Sequence, residues 1–281
     1  MTTPTLNLIG AGRVGQTLAN LWHAKNTFII QDVLTTSLSS AQQAIRTIGA
    51  GTAVNDIQNM RPADVWMIAV PDKNIAIAAI ALAQRLHPVT PDNIPIVFHC
   101  SGAQNTSVLS PLTEKNLRTA SAHCILSFAS VQAALEQFAG TACALEGESH
   151  ACQMLHTAFS AIGAQCFGVQ SEHKVLYHAA AVFATNFLPV LQHVAEDAWL
   201  SSGVPANLIP QLRAALLRNA VENIIRLGPS DALTGPAARG DTQAIDKQAA
   251  VVKAWDSQAG DAYLAMSQLA LRMQQTKNSS S

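Results

Sequence analysis

The sequence is poor in charged and aromatic residues. Only 12% of its 281 residues are charged and 5% are aromatic, and its 17 basic and 18 acidic side chains leave a net charge of −1. Without a basic excess to neutralise phosphates or many rings to stack on bases, the composition argues against nucleic-acid binding. Hydrophobic residues make up 49%, which is enough for a large core and argues against disorder.

Long apolar runs and paired cysteines are also missing. No uninterrupted apolar run reaches the roughly 18 residues that span a bilayer, and the N-terminal residues lack the basic patch and apolar stretch of a signal peptide. The five cysteines are odd in number and include no Cys-x-x-Cys pair, which favours small buried thiols. We therefore expect a cytoplasmic protein without a membrane segment or a metal site.

Short apolar strands alternate with helical patterns through the first half of the chain. The predicted strands begin with Leu6–Ile9, Phe28–Leu34, Val65–Val70 and Ile94–His99, and shorter strand-like pieces continue to Val169. This alternation predicts an α/β domain with a doubly wound, mostly parallel sheet over residues 1–168.

The pattern after Val169 is entirely helical, which predicts a helical domain over residues 169–281. A long helix is predicted over Glu172–Ala198, and Pro189 should kink it because proline has no N–H for the carbonyl of Thr185. A later helix should end at Gly228, and Asp241 is a candidate N-cap for the next one.

The most specific local motif is a glycine-rich turn after the first strand. It has the G-x-G-x-x-G spacing of the Rossmann dinucleotide-binding fingerprint, in which glycines allow a tight turn, close approach of a pyrophosphate and close helix–strand packing. The predicted ligands are Gly10, Gly12, Arg13, Val14 and Gly15. The alternative is a glycine turn without a ligand.

The end of the second strand bears on the choice of cofactor. Asp32 lies close to the place where a carboxylate binds the ribose of NAD. The strand continues past it, however, and the hydroxyls of Thr35, Thr36 and Ser37 suit a 2′-phosphate better. A phosphorylated ribose usually wants an arginine, however, and none lies in that turn. The sequence therefore favours NADP but leaves NAD open.

Polar residues also follow the later strands. The carboxyl ends of strands in an open sheet face the ligand crevice, so we expect cofactor contacts from Val70, Pro71, Ser101 and Gly102, with His99 nearby. Asp72 is a ligand candidate or a helix N-cap.

A second set of candidates lies in the helical region. Lys174, Tyr177 and His178 are spaced to share one helix face, whereas Asn186 lies about 120° away unless Pro189 distorts the helix. A lysine and a histidine beside a nicotinamide could transfer the proton that accompanies a hydride. The alternative is a solvated lysine and a half-buried histidine.

Two further candidates come from a strand end and a loop. His123 ends a strand-like piece and is a cleft or a structural histidine. The loop from Thr234 to Asp241 contains Arg239, whose guanidinium could bind a carboxylate or phosphate, although a structural turn explains the loop equally well.

Together, these segments resemble a known family of two-domain proteins. The segments are GAGRVG, VPD, HCSGA, AHCILSF, K-x-x-YHAAAVFATNF and ALTGPAARGD, and they cover nearly the whole chain in the same order. Family members pair a Rossmann-like domain with a helical domain of unknown function and are described as NADP oxidoreductases. The resemblance implies roles for Lys174, Tyr177, His178 and the Thr234–Asp241 loop, but it supplies no substrate.

The layout is similar, more distantly, to 6-phosphogluconate dehydrogenase, β-hydroxyacid dehydrogenases and pyrroline-5-carboxylate reductase. That similarity implies a homodimer formed by the C-terminal helices. Lys174 matches the catalytic lysine of the β-hydroxyacid dehydrogenases, but His178 replaces their asparagine.

The leading hypothesis is an NAD(P)-dependent oxidoreductase acting on a small carbonyl, hydroxy acid or imine bound between the domains. Lys174 is the first choice as proton donor, His178 and His123 are the other catalytic candidates, and Tyr177, Asn186, Thr234 and Arg239 are candidates for substrate binding. The alternative is a non-catalytic NAD(P)-binding sensor or interaction protein. A deazaflavin as hydride partner is a third possibility.

Overall fold

The computed structural model describes residues 2–86 and 94–279. By internal contacts the chain divides into two compact units, Met1–Phe183 and Ala184–Ser281. The sequence predicts a domain boundary between residues 168 and 169. That boundary remains a prediction, because the division into compact units is based on internal contacts alone.

The first unit contains an eight-stranded sheet with the order β3-β2-β1-β4-β5-β6-β7-β8. All neighbouring strands are parallel except β6 and β7, so the predicted mostly parallel, doubly wound sheet is confirmed. The strands are β1 Thr5–Ile9, β2 Ile29–Leu34, β3 Thr52–Val54, β4 Val65–Ile68, β5 Ile96–His99, β6 Arg118–Cys124, β7 Ala142–Gly147 and β8 Gln165–Gly168.

The helices of this unit pack against the sheet through two apolar clusters. The helices are α1 Arg13–Ala24, α2 Leu38–Ile48, α3 Ile75–Arg85, α4 Ser110–Thr113, α5 Val131–Gln137, α6 Ser149–Ala161 and α7 Lys174–Ala181. Trp22 is at the centre of the larger cluster, where its ring meets those of Phe28, Phe98 and Phe159 edge to face. The second cluster contains Trp66 and the buried residues of α3.

A π-helical turn, Val182–Asn186, separates α7 from α8 Phe187–Ser201. It ends just before the first turn of α8, where Pro189 has no N–H to donate to the carbonyl four residues earlier. The predicted long helix is therefore interrupted where Pro189 was expected to distort it.

Every secondary-structure element among the described residues of the second unit is helical. After α8 come α9 Ile209–Leu227, α10 Pro229–Ala232, α11 Thr242–Trp255 and α12 Ser257–Ser279. Helix α9 ends as predicted at Gly228, which has a positive φ of 77°, and the Asp241 carboxylate caps α11 by accepting from the Ala244 N–H at 3.0 Å.

One helical stretch has the length and composition of a membrane span. Among the residues described, only Ser171–Ser201 meets that criterion, with a mean hydropathy of 1.3 in its best window. This is weak evidence for a membrane span, and cytoplasmic localisation remains a prediction.

Candidate active site

The glycine turn between β1 and α1 has the tight packing that its sequence predicts. Gly10 has a φ of +85°, and a Cβ there would lie 2.6 Å from the Ala69 carbonyl oxygen. A Cβ on Gly15 would lie 3.0 Å from the Gly10 oxygen, whereas a Cβ on Gly12 would meet nothing within 4 Å. Gly10 and Gly15 thus allow close packing, and Gly12 leaves open space at the N-terminus of α1.

A cavity of about 410 Å³ lies against this turn. It is lined by the ends of β1, β2 and β4 and the residues that follow them, including Gly10, Gly12, Thr35, Thr36, Val70 and Pro71. Arg13 is exposed and donates to the Phe128 carbonyl at 3.2 Å, and Val14 packs against the larger core cluster. The open side of Gly12 and the helix N-terminus would fit a dinucleotide pyrophosphate.

Hydroxyl groups cluster where β2 gives way to α2. Ser37 caps α2 by accepting from the Ser40 N–H at 3.2 Å, and the hydroxyls of Thr35 and Ser37 both lie within hydrogen-bonding distance of the Ser40 hydroxyl. Thr35, Thr36 and Ser40 line the cavity.

Asp32 is not available at this edge of the cavity. Its side chain is buried and accepts the Arg61 backbone N–H at 2.6 Å and the Arg61 guanidinium at 2.5 Å. The expectation that Asp32 could bind the ribose of NAD is therefore wrong, because β2 runs on to Leu34 and Arg61 occupies the carboxylate.

Three ring side chains form a second cluster in the same unit. His123 Nδ1 lies 2.9 Å from the Tyr177 hydroxyl, and the rings of His123 and His178 have centroids 5.6 Å apart. A Cβ on Gly102 would lie 2.4 Å from His178 Nδ1 and 2.7 Å from His123 Nε2. The backbone at Gly102 therefore lies directly against both imidazoles, which only glycine allows.

A short chain of contacts joins this cluster to the cavity. Asp72 follows Pro71 and accepts from the Ser101 hydroxyl at 2.8 Å, and Ser101 precedes Gly102. Asp72 does not cap α3, whose N-cap residue is Asn74, so the N-cap alternative is wrong. His99 does not line the cavity. It is fully buried, and its Nδ1 accepts a hydrogen bond from the Ser101 N–H at 3.1 Å.

Lys174 lies beneath the ring cluster rather than at its surface. It is 1% exposed, its Nζ donates to the Ser121 hydroxyl, and Glu146 Oε2 lies 3.7 Å away. The expectation that Lys174 is the first choice to donate a proton to substrate conflicts with this burial.

Burial shifts the pKa values of the side chains in and around this cluster in the direction that favours their neutral forms. Desolvation lowers the pKa of His123 to about 4, with additional effects from His178 and Lys174. Desolvation followed by the charge of Lys174 lowers the pKa of His99 to about 4. Lys174 itself has a pKa lowered to about 8 by desolvation, partly opposed by Glu146. Desolvation also raises the pKa of Tyr177.

The remaining substrate-binding candidates belong to the second unit. Asn186 ends the π-helical turn, and its Oδ1 accepts from the Thr185 hydroxyl at 2.8 Å. Thr234 and Arg239 are exposed in the loop before α11. Their roles remain predictions.

Two residues of the first-unit cluster were not predicted from sequence. Glu146 and Ser121 are buried polar residues within strands β7 and β6. A carboxylate and a hydroxyl within otherwise apolar strands were the available signals. Their connection to Lys174 is a long-range contact that spacing does not reveal.

Comparison with known proteins gives two family matches. Residues 3–123 match the model of a Rossmann-like domain, and residues 141–270 match a domain of unknown function, DUF2520. The chain joins a Rossmann-like domain to a DUF2520 domain. The two-domain resemblance inferred from the sequence motifs is therefore confirmed. No curated protein matches this Rossmann–DUF2520 chain by sequence.

Several solved structures share its whole fold. Protein TM1727 from Thermotoga maritima is 23% identical, with a TM-score of 0.76 over 98% of this chain and 100% of its own. BF3122 from Bacteroides fragilis, a proposed NADP oxidoreductase, is 20% identical, with a TM-score of 0.73 over 96% of this chain and 98% of its own. An imine reductase from Myxococcus stipitatus in complex with NADP⁺ is 14% identical, with a TM-score of 0.65 over 96% and 94% of the two chains. At these identities the likeness establishes the fold.

Proposed function

We propose that this Rossmann–DUF2520 protein is an NAD(P)H-dependent oxidoreductase that acts on a small carbonyl, hydroxy acid or imine. The observation that carries the proposal is the continuity between two features of the first unit. The cavity at the glycine turn is linked through Asp72, Ser101 and Gly102 to a cluster of two histidines and a tyrosine. Nucleotide-bound structures among its fold neighbours are consistent with a nicotinamide cofactor.

The residues at the cavity fit a dinucleotide. Gly12 would face the pyrophosphate, the first turn of α1 would offer N–H groups, and Val70 and Pro71 would pack near the nicotinamide. Bound there, a dihydronicotinamide would supply a hydride to a carbonyl or imine carbon, whose heteroatom then takes a proton.

The ring cluster is suited to handling that proton. His178 is the proposed proton donor because its ring lies against Gly102, three residues beyond the end of β5, whereas the Nζ of Lys174 is enclosed by Ser121 and Glu146. Tyr177 fixes the His123 ring through the hydrogen bond at Nδ1. The two histidines would act by holding or moving a proton at a ring nitrogen.

NADP is the preferred cofactor in this proposal. The hydroxyl cluster at the start of α2 lines the cavity, and the helix N-terminus there would favour an added phosphate. Asp32, the residue that would favour NAD, is held by Arg61.

Calorimetric titration with NADPH and, separately, NADH tests the proposal. We expect micromolar binding of NADPH and weaker binding of NADH. Gly12→Val should abolish binding without disturbing the fold, because its side chain would enter the space left for the pyrophosphate. Gly168→Val is the matched control, since a Cβ there also meets nothing within 4 Å and Gly168 lies outside the cavity.

Two results would contradict the proposal. If neither NADPH nor NADH binds, the protein does not use a nicotinamide cofactor. Tight binding without oxidation of NADPH by any of a panel of small 2-oxo acids, aldehydes and imines would instead indicate a sensor that binds the cofactor without catalysis.

A further inference from the structure

Glu146 is a buried carboxylate on β7 that bonds to three separate segments of the first unit. It is 4% exposed and accepts from the Ser121 hydroxyl on β6 at 2.9 Å and from the Ser171 hydroxyl, just before α7, at 2.6 Å. In the connection between β5 and α4, it accepts from the Thr106 hydroxyl at 2.7 Å and the Thr106 backbone N–H at 3.1 Å. These hydrogen bonds end on one carboxylate, so they hold the three segments relative to one another.

Lys174 adds a further contact at the start of α7. Its Nζ donates to the Ser121 hydroxyl, which itself donates to Glu146, and lies 3.7 Å from Glu146 Oε2. A buried ion pair is not a strong source of stability, because desolvation cancels much of its attraction. A buried polar network whose members are all hydrogen-bonded does, however, hold them in one arrangement. Its expected effect is therefore on the position of the segments that carry it.

Each of the three segments also carries part of the ring cluster and its contact with the backbone. In chain order, these residues are Gly102 in the β5–α4 connection, His123 on β6, and Tyr177 and His178 on α7. Ser121 and His123 are two residues apart on β6 and therefore project from the same face of the sheet. Glu146 is thus connected to every part of the cluster through a short stretch of backbone.

The packing at Gly102 leaves no room for these segments to shift. A Cβ there would lie 2.4 Å from His178 Nδ1 and 2.7 Å from His123 Nε2, so the backbone and both imidazoles are in direct contact. A group that transfers a proton must be held to within about 0.5 Å of its productive position. A misplacement of about 1 Å can cost about a hundredfold in rate. The site therefore depends on how precisely the three segments are held together.

We propose, resting on the oxidoreductase function above, that Glu146 is a positioning residue for proton transfer by His178. Its carboxylate holds the start of α7 and the β5–α4 connection against β6, and so fixes where His178 meets that connection. The reach of the side chain to Thr106 and Ser171 matters more than its negative charge. Lys174 belongs to the same support and acts by anchoring the first turn of α7.

Two substitutions separate the reach of this side chain from its charge. Glu146→Asp keeps a carboxylate opposite Ser121, its partner in the β6–β7 ladder. It is one methylene shorter, so it should lose Thr106 and Ser171. Glu146→Gln keeps the length: its oxygen still accepts from those two residues, and its amide N–H group donates to the Ser121 hydroxyl. Glu148→Asp and Glu148→Gln are the matched controls, since Glu148 is exposed and caps α6.

NMR of the histidine ring signals in the full chain measures the arrangement without a substrate. His123→Asn and His178→Asn assign the two signals by their loss. In Glu146→Asp we expect both signals to shift or broaden, because the rings no longer have one fixed environment. In Glu146→Gln and in both Glu148 variants they should stay close to those of the wild type. The signal of His23 on α1 is the internal reference and should not move.

A milder variant keeps the test usable if Glu146→Asp does not fold. Ser171→Ala removes only the hydrogen bond just before α7, and should shift the His178 signal by a smaller amount. Ser171→Thr keeps the hydroxyl and should leave that signal in place. Unchanged His123 and His178 signals in every folded variant would overturn the proposal. Equal changes in Glu146→Asp and Glu146→Gln would also overturn it, because charge would then matter as much as reach.

Steady-state kinetics connect this arrangement to the proposed reaction, using whichever carbonyl compound or imine the wild type reduces. We expect kcat to fall at least about tenfold in Glu146→Asp and less than about threefold in Glu146→Gln. The Kd for NADPH should stay within about twofold, because the cavity is lined by other strand ends. A weakened Kd with unchanged kcat would overturn the proposal. A wild type that does not bind NADPH would contradict the oxidoreductase function instead, and the histidine signals would then decide whether Glu146 positions the cluster.

Discussion

At the scale of single residues, burial decides which polar groups can reach a ligand. Asp32 and Thr35 are three residues apart on one strand and its following turn, yet their environments differ. The Asp32 carboxylate faces Arg61 inside the unit, whereas Thr35 lines the cavity. A carboxylate that already accepts charged and backbone donors is a structural group.

Asp32→Asn should therefore affect stability and leave cofactor preference unchanged. We expect the free energy of unfolding to fall by about 1–3 kcal/mol, because hydrogen bonds to a charged group are weakened. Urea unfolding measures the loss, and titration with NADPH and NADH measures the preference. Thr35→Val is the companion variant and should weaken NADPH binding relative to NADH. A changed nucleotide ratio in Asp32→Asn would restore Asp32 as a ribose ligand.

Spacing rules predicted part of the candidate site. The i, i+3, i+4 pattern placed Lys174, Tyr177 and His178 on one face, and all three do converge near β6. The same pattern could not show that Lys174 points into the protein, because the direction depends on Glu146 and Ser121. Those partners come from distant strands, and only the fold brings them within hydrogen-bonding distance.

At the scale of secondary-structure elements, strong periodicity was the most reliable signal. The strands β2, β4 and β5 lie within the predicted ranges, and β1 begins one residue before its predicted range. The sequence did not reveal β3, Thr52–Val54, because three residues are too few for an alternating pattern and the strand depends on pairing with β2. Proline chemistry predicted a distortion near Pro189, but the form it takes, a π-helical turn, was not predicted.

The N-cap of α11 offers a test at this scale. The Asp241 side chain accepts from the Ala244 N–H at 3.0 Å. Asp241→Ala should lower stability by about 1 kcal/mol and speed hydrogen exchange in the first turn of α11, because that N–H loses its acceptor. Asp241→Asn, which keeps a capping oxygen, should behave like the wild type. Equal exchange in the alanine variant would show that the cap contributes nothing.

At the scale of the whole molecule, Lys174 should make stability depend on pH. Its pKa falls from 10.5 to about 8 on folding. Between these values the unfolded chain binds a proton that the folded chain has lost, so this lysine raises the free energy of unfolding as pH increases. Tyr177 and Cys100, whose pKa values are raised, act in the opposite direction at alkaline pH.

The measurement is therefore a difference between wild type and Lys174→Met. Urea unfolding at a series of pH values should show the wild type gaining stability relative to the variant between pH 8 and 10.5. The gain should be at most about 3 kcal/mol. A constant difference over this range would mean that Lys174 has an ordinary pKa and is not desolvated.

The exposed apolar side chains of the second unit lead to a prediction about assembly. On α9, Leu216 is 54% exposed, Ile224 49% and Ile225 80%, and further exposed apolar residues lie on α8, α11 and α12. Large exposed apolar patches commonly mark an interaction surface, and this number of exposed apolar side chains suggests one. We propose that a second copy of the chain covers it, which predicts a solution mass of twice 29.7 kDa by light scattering.

A matched pair of charge substitutions tests whether these helices form the interface. Ile225→Glu should shift the mass toward that of one chain, because a carboxylate would be buried without a partner in the dimer. Ile77→Glu places the same charge on α3 of the first unit, where Ile77 is 65% exposed, and should leave the mass unchanged. Dissociation by Ile77→Glu and not by Ile225→Glu would place the interface on the first unit, and a wild-type monomer would show that no second copy covers the helices.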